Sequence, residues 1–168
     1  MAETRNPIYT AEAHVTGGRA EGHGRTSDGA LDVELRLPEE MGGDGGGTNP
    51  EQLFAVGYAA CFEGALGTAA RRRRQEAGDV EIDSRVTLLP TADRRFKLAV
   101  TLAVTLPSIA DAKEAVILAR EADQVCPYSN AIRGNVDVSI TANGHPLEGT
   151  SEPQAASARS RSGSAAAG

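Results

Sequence analysis

The sequence predicts an α+β protein: antiparallel sheets built from β-hairpins, with two main helices inserted in the order β-β-β-α-β-β-α-β. Three observations carry this expectation. Leu31, Val33, Leu35 and Leu37 alternate with Asp32, Glu34 and Arg36, the period of a strand with one wet face. Two more strand-like runs, 80–89 and 96–106, are joined by a short polar turn at 91–95. Two helical segments, at 50–76 and 108–125, interrupt the strands instead of alternating with them one for one.

The first strand is expected over 8–15, where Tyr9, Ala11, Ala13 and Val15 alternate with polar neighbours. Gly17 and Gly18 end it. A second strand is expected around 24–27, turning at Asp28-Gly29 into the 31–37 strand. Residues 41–49, MGGDGGGTN, form a glycine-rich loop. They lack the Gly-Lys-Ser/Thr of a phosphate-binding loop, because Thr48 is followed by Asn-Pro. Asn49 suits the cap of the first main helix, Pro50 its first position, and Gln52 completes a capping box. Leu53, Gly57, Ala60, Cys61 and Gly64 fall on one face, where small residues admit another backbone. Arg71 to Arg74 suit the last turns of that helix, which stops before Gly78.

Ser108 is the expected cap of the second main helix, with Ala112, Ala115, Val116 and Ala119 as its apolar positions. That helix should end near Val125, because Pro127 forces Cys126 out of the helical region. Pro127 then starts a short helix that ends by Gly134. The last strand should turn Val136, Val138 and Ile140 inward and Asp137, Ser139 and Thr141 outward. Residues 1–149 are expected to form one domain. Residues 150–168, rich in Ser, Ala and Gly, are expected to form a disordered tail.

Charge and composition exclude several functions. A net charge of −6, from 17 basic and 23 acidic side chains, argues against a partner with a phosphate backbone. No uninterrupted apolar run approaches the roughly 18 residues of a membrane span. The opening MAETRNP has no apolar core of a secretory signal, so a cytoplasmic location is expected. There, a pair of cysteines is expected to be reduced, redox-active or catalytic.

The chain has two cysteines, Cys61 and Cys126. Cys61, on an alanine-rich helix face, suits a small buried hydrophobe as well as a reactive thiol. Cys126 opens CPYS at a helix N-terminus, a position that favours thiolate. CPYS is not the CxxC of a thioredoxin-type centre. His14, His23 and His145 are scattered without zinc-ligand spacing. Two thiols on two helices could meet across a helix contact, one attacking an oxidant and the other resolving the sulfenic acid as a disulfide.

The stretches TNPEQLFAVGYAACFEGAL and CPYSNAIRGN, with IYTAEAHVTGGR and SDGALDVEL, closely resemble the organic hydroperoxide resistance family, a branch of the osmotically inducible protein C superfamily. The resemblance covers residues 8–142 and implies a single OsmC-like domain in an intertwined homodimer. It implies a peroxidase that reduces alkyl and fatty-acid hydroperoxides to alcohols. Cys61 would be the peroxidatic cysteine, Cys126 the resolving one, and Arg19 and Glu51 the activating pair. No cofactor or metal is implied, only an external dithiol: dihydrolipoyl groups on a lipoylated protein. Ile132 stands where the family often has threonine, and the segment after Arg19 is slightly longer than usual.

Chemistry fits those roles. A guanidinium at Arg19 would favour the Cys61 thiolate, and Glu51 would hold that guanidinium by an ion pair. Glu63, close to Cys61 in sequence, would raise the thiol's pKa if it faced it, so it is expected to point elsewhere. Phe54, Phe62 and Tyr128 suit either an apolar substrate pocket or the core. Glu51 and Cys61 are 10 residues apart on one expected helix. That is roughly 15 Å along the axis, which predicts that the Arg19 and Glu51 serving a given Cys61 come from the partner subunit. Two other readings remain: the sister branch with broader peroxide preference, and a redox sensor that forms the disulfide without turnover.

Overall fold

The structure is a computed structural model describing residues 6–150. The expected tail from 151 onward lies outside the described residues. The chain forms two sheets and four α-helices among those residues: β1 Ala13–Thr16, α1 Gly18–Glu21, β2 Gly22–Thr26, β3 Asp32–Arg36, α2 Pro50–Arg73, β4 Glu81–Pro90, β5 Phe96–Thr105, α3 Ala112–Val125, α4 Pro127–Ile132, β6 Asp137–Ala142 and β7 His145–Pro146. This is the expected α+β class.

The larger sheet runs β4-β5-β6-β7. β4 and β5 form the expected hairpin, paired from Glu81↔Thr105 to Pro90↔Phe96. One pairing departs from the antiparallel rule: β6 lies parallel to β5, from Ala99↔Asp137 to Val104↔Ala142. A parallel neighbour requires a crossover, and α3 and α4 supply it.

α2 and α3 pack on this sheet. Tyr58, Phe62, Leu66 and Ala69 of α2 meet Leu118, Ala119 and Ala122 of α3, over Val100, Leu102 and Val104 of β5 and Ile140 of β6. Val100, Leu102 and Val104 share a face through the two-residue period of a strand. Leu118 is fully buried in this core. Leu118→Ala is therefore expected to cost about 2–5 kcal/mol, read by urea denaturation of the reduced protein at fixed concentration.

α2 starts as expected: Asn49 Oδ1 accepts from Gln52 N–H at 2.9 Å, and Pro50 fills the first position. The return half of the capping box is missing, because the Gln52 side chain accepts from Thr48 Oγ1 instead. The helix ends at Arg73, three residues early, where Arg74 adopts φ 56° and its N–H closes back on Ala70 and Arg71 carbonyls. Its buried face is not the expected one. Tyr58, Phe62, Leu66 and Ala69 are buried, whereas Ala60 and Gly64 are exposed and Cys61 sits at the boundary. The larger side chains take the core because they bury more apolar area. α2 is also long and apolar enough to cross a membrane by length and composition alone, although Glu63 interrupts its apolar run.

Three other boundaries move. β1 begins at Ala13 rather than residue 8, and Ile8, Tyr9 and Val15 are exposed, with none of the described residues covering that apolar stripe. Asp111, not Ser108, caps α3, accepting from Lys113 N–H at 2.8 Å. The Asn143 side chain holds Leu106 N–H at 2.7 Å and the Leu106 and Ile109 carbonyls, so the segment around Ser108 stays non-helical. Ser139 is buried rather than outward.

The smaller sheet runs β1-β2-β3 and was expected except for its edges. The sequence gives no warning of α1, a single turn between β1 and β2. Gly17 before it has φ 69°, and a Cβ there would lie 2.7 Å from the Glu21 carbonyl oxygen. At Gly22 a Cβ would lie 1.9 Å from the Gly18 carbonyl oxygen. Only glycine fits both ends, so the tight turn fixes where Arg19 projects.

Candidate active site

Two thiols meet where α4 crosses α2. Cys61 follows Gly57 by four residues and Tyr58 by three, so the three lie along one side of the helix. Gly57 makes room for the crossing, since a Cβ there would lie 3.2 Å from Tyr128 Oη. Pro127 acts as expected: it keeps Cys126 extended, at φ −65° and ψ 121°, between α3 and α4.

The Cys126 Sγ lies 3.6 Å from the Cys61 Sγ. A disulfide bond is about 2.05 Å long, so these are free thiols in van der Waals contact. Cys126 is fully buried, while Cys61 is partly exposed. The outer thiol is thus the one an incoming molecule meets, and the inner one stands directly behind it.

Cys126 occupies the cap position of α4, but its thiol makes no capping hydrogen bond. Pro127 has no N–H, and the next backbone donor, the Tyr128 N–H, acts to lower the Cys61 thiol. The favourable donor therefore acts on Cys61. Burial still pushes the Cys61 thiol upward overall; the Tyr128 N–H opposes that shift, and contact with Cys126 adds to it. Glu63 is exposed and takes no part.

Aromatic side chains flank the pair. Phe54 and Tyr128 stack with ring centroids 5.8 Å apart, and Tyr58 lies 6.0 Å from Tyr128. Phe62 is core, with no exposure, so of the three aromatics expected near a pocket only Phe54 and Tyr128 reach the surface. Sequence reasoning missed Tyr58 and Ser129, whose hydroxyls hydrogen-bond at 2.8 Å in the interior. Tyr58 is pushed up to about 12 by burial and stays a neutral phenol. The i,i+3 spacing of Tyr58 and Cys61 was the available signal.

Arg19 and Glu51 also meet. The Arg19 guanidinium forms an ion pair with the Glu51 carboxylate, joining α1 to the first turn of α2. α2 runs unbroken from Glu51 to Cys61, which places them about 15 Å apart along its axis. Within one chain the four residues thus form two pairs, one of thiols and one of ions. Among the described residues, no group of three or more His, Cys, Asp or Glu side chains is arranged to hold a metal ion.

The stretch of chain that carries both thiols matches a known family. Its model, described as OsmC-like protein, matches residues 43–141, more than half of the chain. The chain belongs to the OsmC-like family. Among its relatives is an organic hydroperoxide resistance protein of Xanthomonas axonopodis pv. citri (strain 306), 50% identical over 145 residues, covering 84% of this chain and 99% of the relative. Among solved structures, the organic hydroperoxide resistance protein OsmC from Legionella pneumophila superposes with a TM-score of 0.76 at 48% identity, covering 80% of this chain and 97% of that one. The organic hydroperoxide resistance protein OhrB of Bacillus subtilis gives 0.73 at 44%, covering 80% and 98%. These OsmC-like relatives extend the likeness beyond the matched core of the family.

Proposed function

We propose that this protein is a thiol-dependent peroxidase that reduces organic hydroperoxides to alcohols. The observation that carries this reading is the partly exposed Cys61 thiol with the buried Cys126 thiol 3.6 Å behind it. The names of the relatives, organic hydroperoxide resistance proteins, supply the substrate class.

The steps balance as follows. The Cys61 thiolate attacks the terminal oxygen of ROOH, the O–O bond breaks, and the departing alkoxide takes a proton to leave as ROH. Cys61 becomes a sulfenic acid. The Cys126 sulfur displaces the sulfenic hydroxyl as water and forms the Cys61–Cys126 disulfide. A dithiol reopens it by exchange, leaving as its own disulfide and returning both thiols. We assign that dithiol to a dihydrolipoyl group on a lipoylated protein, and place the cycle in a reducing cytoplasm.

Burial alone disfavours the Cys61 anion, so the cycle needs a cation beside it. Arg19 supplies it in this reading, held by Glu51. Because Glu51 sits about 15 Å along α2 from Cys61 of its own chain, we assign these roles to the partner subunit's Arg19 and Glu51 in an intertwined homodimer. The exposed apolar surface supports such a partner: Ile8, Tyr9 and Val15 near β1, and Val56 on α2. Phe54 and Tyr128 beside Cys61 suit an alkyl tail, which gains by burial what hydrogen peroxide cannot.

Steady-state assays on tert-butyl hydroperoxide test the reading. Sustained consumption is expected with dihydrolipoamide as sole reductant, at least tenfold faster than with thioredoxin and faster than on hydrogen peroxide. One oxidation per Cys61 without turnover under any dithiol would instead make the protein a sensor.

A further inference from the structure

We propose that Tyr58 and Ser129 are positioning residues: their buried hydrogen bond sets α4 so that Cys126 stands within reach of Cys61, and so favours the disulfide over further oxidation of Cys61. For its oxidative consequence, this inference rests on the peroxidase reading above.

Apart from exposed contacts such as that of Asn130 Nδ2 with the Gln124 carbonyl, few hydrogen bonds tie α4 to its neighbours. It is six residues long, too short to be stable alone. Behind it lies a cavity of about 300 Å³, lined by Ser129 and Arg133 of this corner, Val138 and Ile140 of β6, and Tyr58. Among the described residues, that side of α4 faces open space in place of packed side chains. Arg133 ties the corner to the Asp123 carbonyl and carboxylate at 2.8 Å, but that pair is at the surface, where such contacts contribute little. The aromatic contacts of Tyr128 with Phe54 and Tyr58, on a residue that is itself partly exposed, have softer geometric preferences than a buried hydrogen bond.

The Tyr58–Ser129 bond is different in kind. Both residues are fully or almost fully buried, at 0% and 3% exposure, and the hydroxyls are 2.8 Å apart. A buried hydroxyl that loses its partner is costly, so the bond resists sliding or rotation of α4 on α2. Tyr58 precedes Cys61 by three residues and Ser129 follows Cys126 by three. Each end of the bond is therefore one helical turn or its equivalent from one of the thiols.

The chemical consequence is a competition for the Cys61 sulfenic acid. Cys126 converts it to a disulfide with loss of water. A second hydroperoxide converts it to a sulfinic acid, the peroxide O–O bond breaking to give another alcohol. The first path needs Cys126 within bonding distance, which the position of α4 sets.

The test uses the full chain as wild type, Tyr58→Phe, Ser129→Ala and the double variant. Each is equilibrated in glutathione redox buffers, and the effective concentration of Cys126 toward Cys61 is read by trapping and mass spectrometry. Loss of one bond is expected to lower it about five- to tenfold. The double variant separates positioning from stability. It leaves neither hydroxyl unpaired, so its resistance to urea recovers toward wild type, while its low effective concentration persists. It also carries the test if a single variant fails to fold. On excess tert-butyl hydroperoxide, the sulfinic share of Cys61 should rise by a similar factor. A double variant that pairs its cysteines as well as wild type would overturn the inference. If the wild type consumed no hydroperoxide, the peroxidase reading would fail, and the redox-buffer measurement would still decide on positioning.

Discussion

Cys61→Ser protein is expected to consume tert-butyl hydroperoxide no faster than buffer, a fall of ~10³-fold or more, because the alcohol that replaces the thiol is not ionised near neutral pH. Cys126→Ser protein should behave differently. It should reduce the first equivalent of hydroperoxide and then stall with Cys61 oxidised. The contrast follows from exposure. Cys61 is the sulfur at the surface, and Cys126 is fully enclosed behind it. Burst amplitude measured against enzyme concentration distinguishes the two variants. Reversed roles, with a burst from Cys61→Ser and none from Cys126→Ser, would make the buried thiol the attacking one and refute the assignment.

The second large effect concerns which chain supplies the cation. Arg19→Ala and Cys61→Ser homodimers should each be nearly inactive. Mixed together through unfolding and refolding, they should regain about a quarter of wild-type activity, since half of the dimers would be mixed and each would hold one complete site. A site built within one chain predicts no recovery at all. In the Arg19→Ala protein the pH midpoint for alkylating Cys61 should also move upward. The lost positive charge no longer opposes the burial that already raises the thiol. An unchanged midpoint would remove Arg19 from the role of thiolate stabiliser. The geometry that motivates both experiments is the unbroken α2 between Glu51 and Cys61.

Much of this was legible in the sequence because its determinants are local. Asn49-Pro50 announces the start of α2, and the hydrogen bond from Gln52 N–H to Asn49 is the cap that the pair predicts. Pro127 announces that Cys126 leaves the helix, and it does. The β4–β5 hairpin is written in its alternation. What failed was set by distant residues. Ser108 has the chemistry of a cap, but Asn143, 35 positions later, holds the neighbouring backbone and gives the cap to Asp111. The parallel pairing of β6 with β5 depends on a crossover that no local pattern encodes. At the site, Cys126 opens CPYS at the start of α4 as expected, but its thiol makes no capping hydrogen bond there, and the Tyr128 backbone lowers the Cys61 thiol, which local sequence does not reveal. Periodicity shows which residues share a face; it does not show which neighbour that face will meet.

The two thiols stand 65 positions apart along the chain yet within one bond-making movement in space. Joining them closes a large ring through α2, β4, β5 and α3, and a ring of that size restricts the unfolded chain far more than the folded one. Chain-entropy arguments put the gain at about 4 kcal/mol. The oxidised protein should therefore melt later than the reduced one, and melting temperature followed across a redox titration would check it. The protein would be at its sturdiest while awaiting an electron donor and at its most yielding when ready to react. A cell short of reductant would then accumulate the form least prone to unfold.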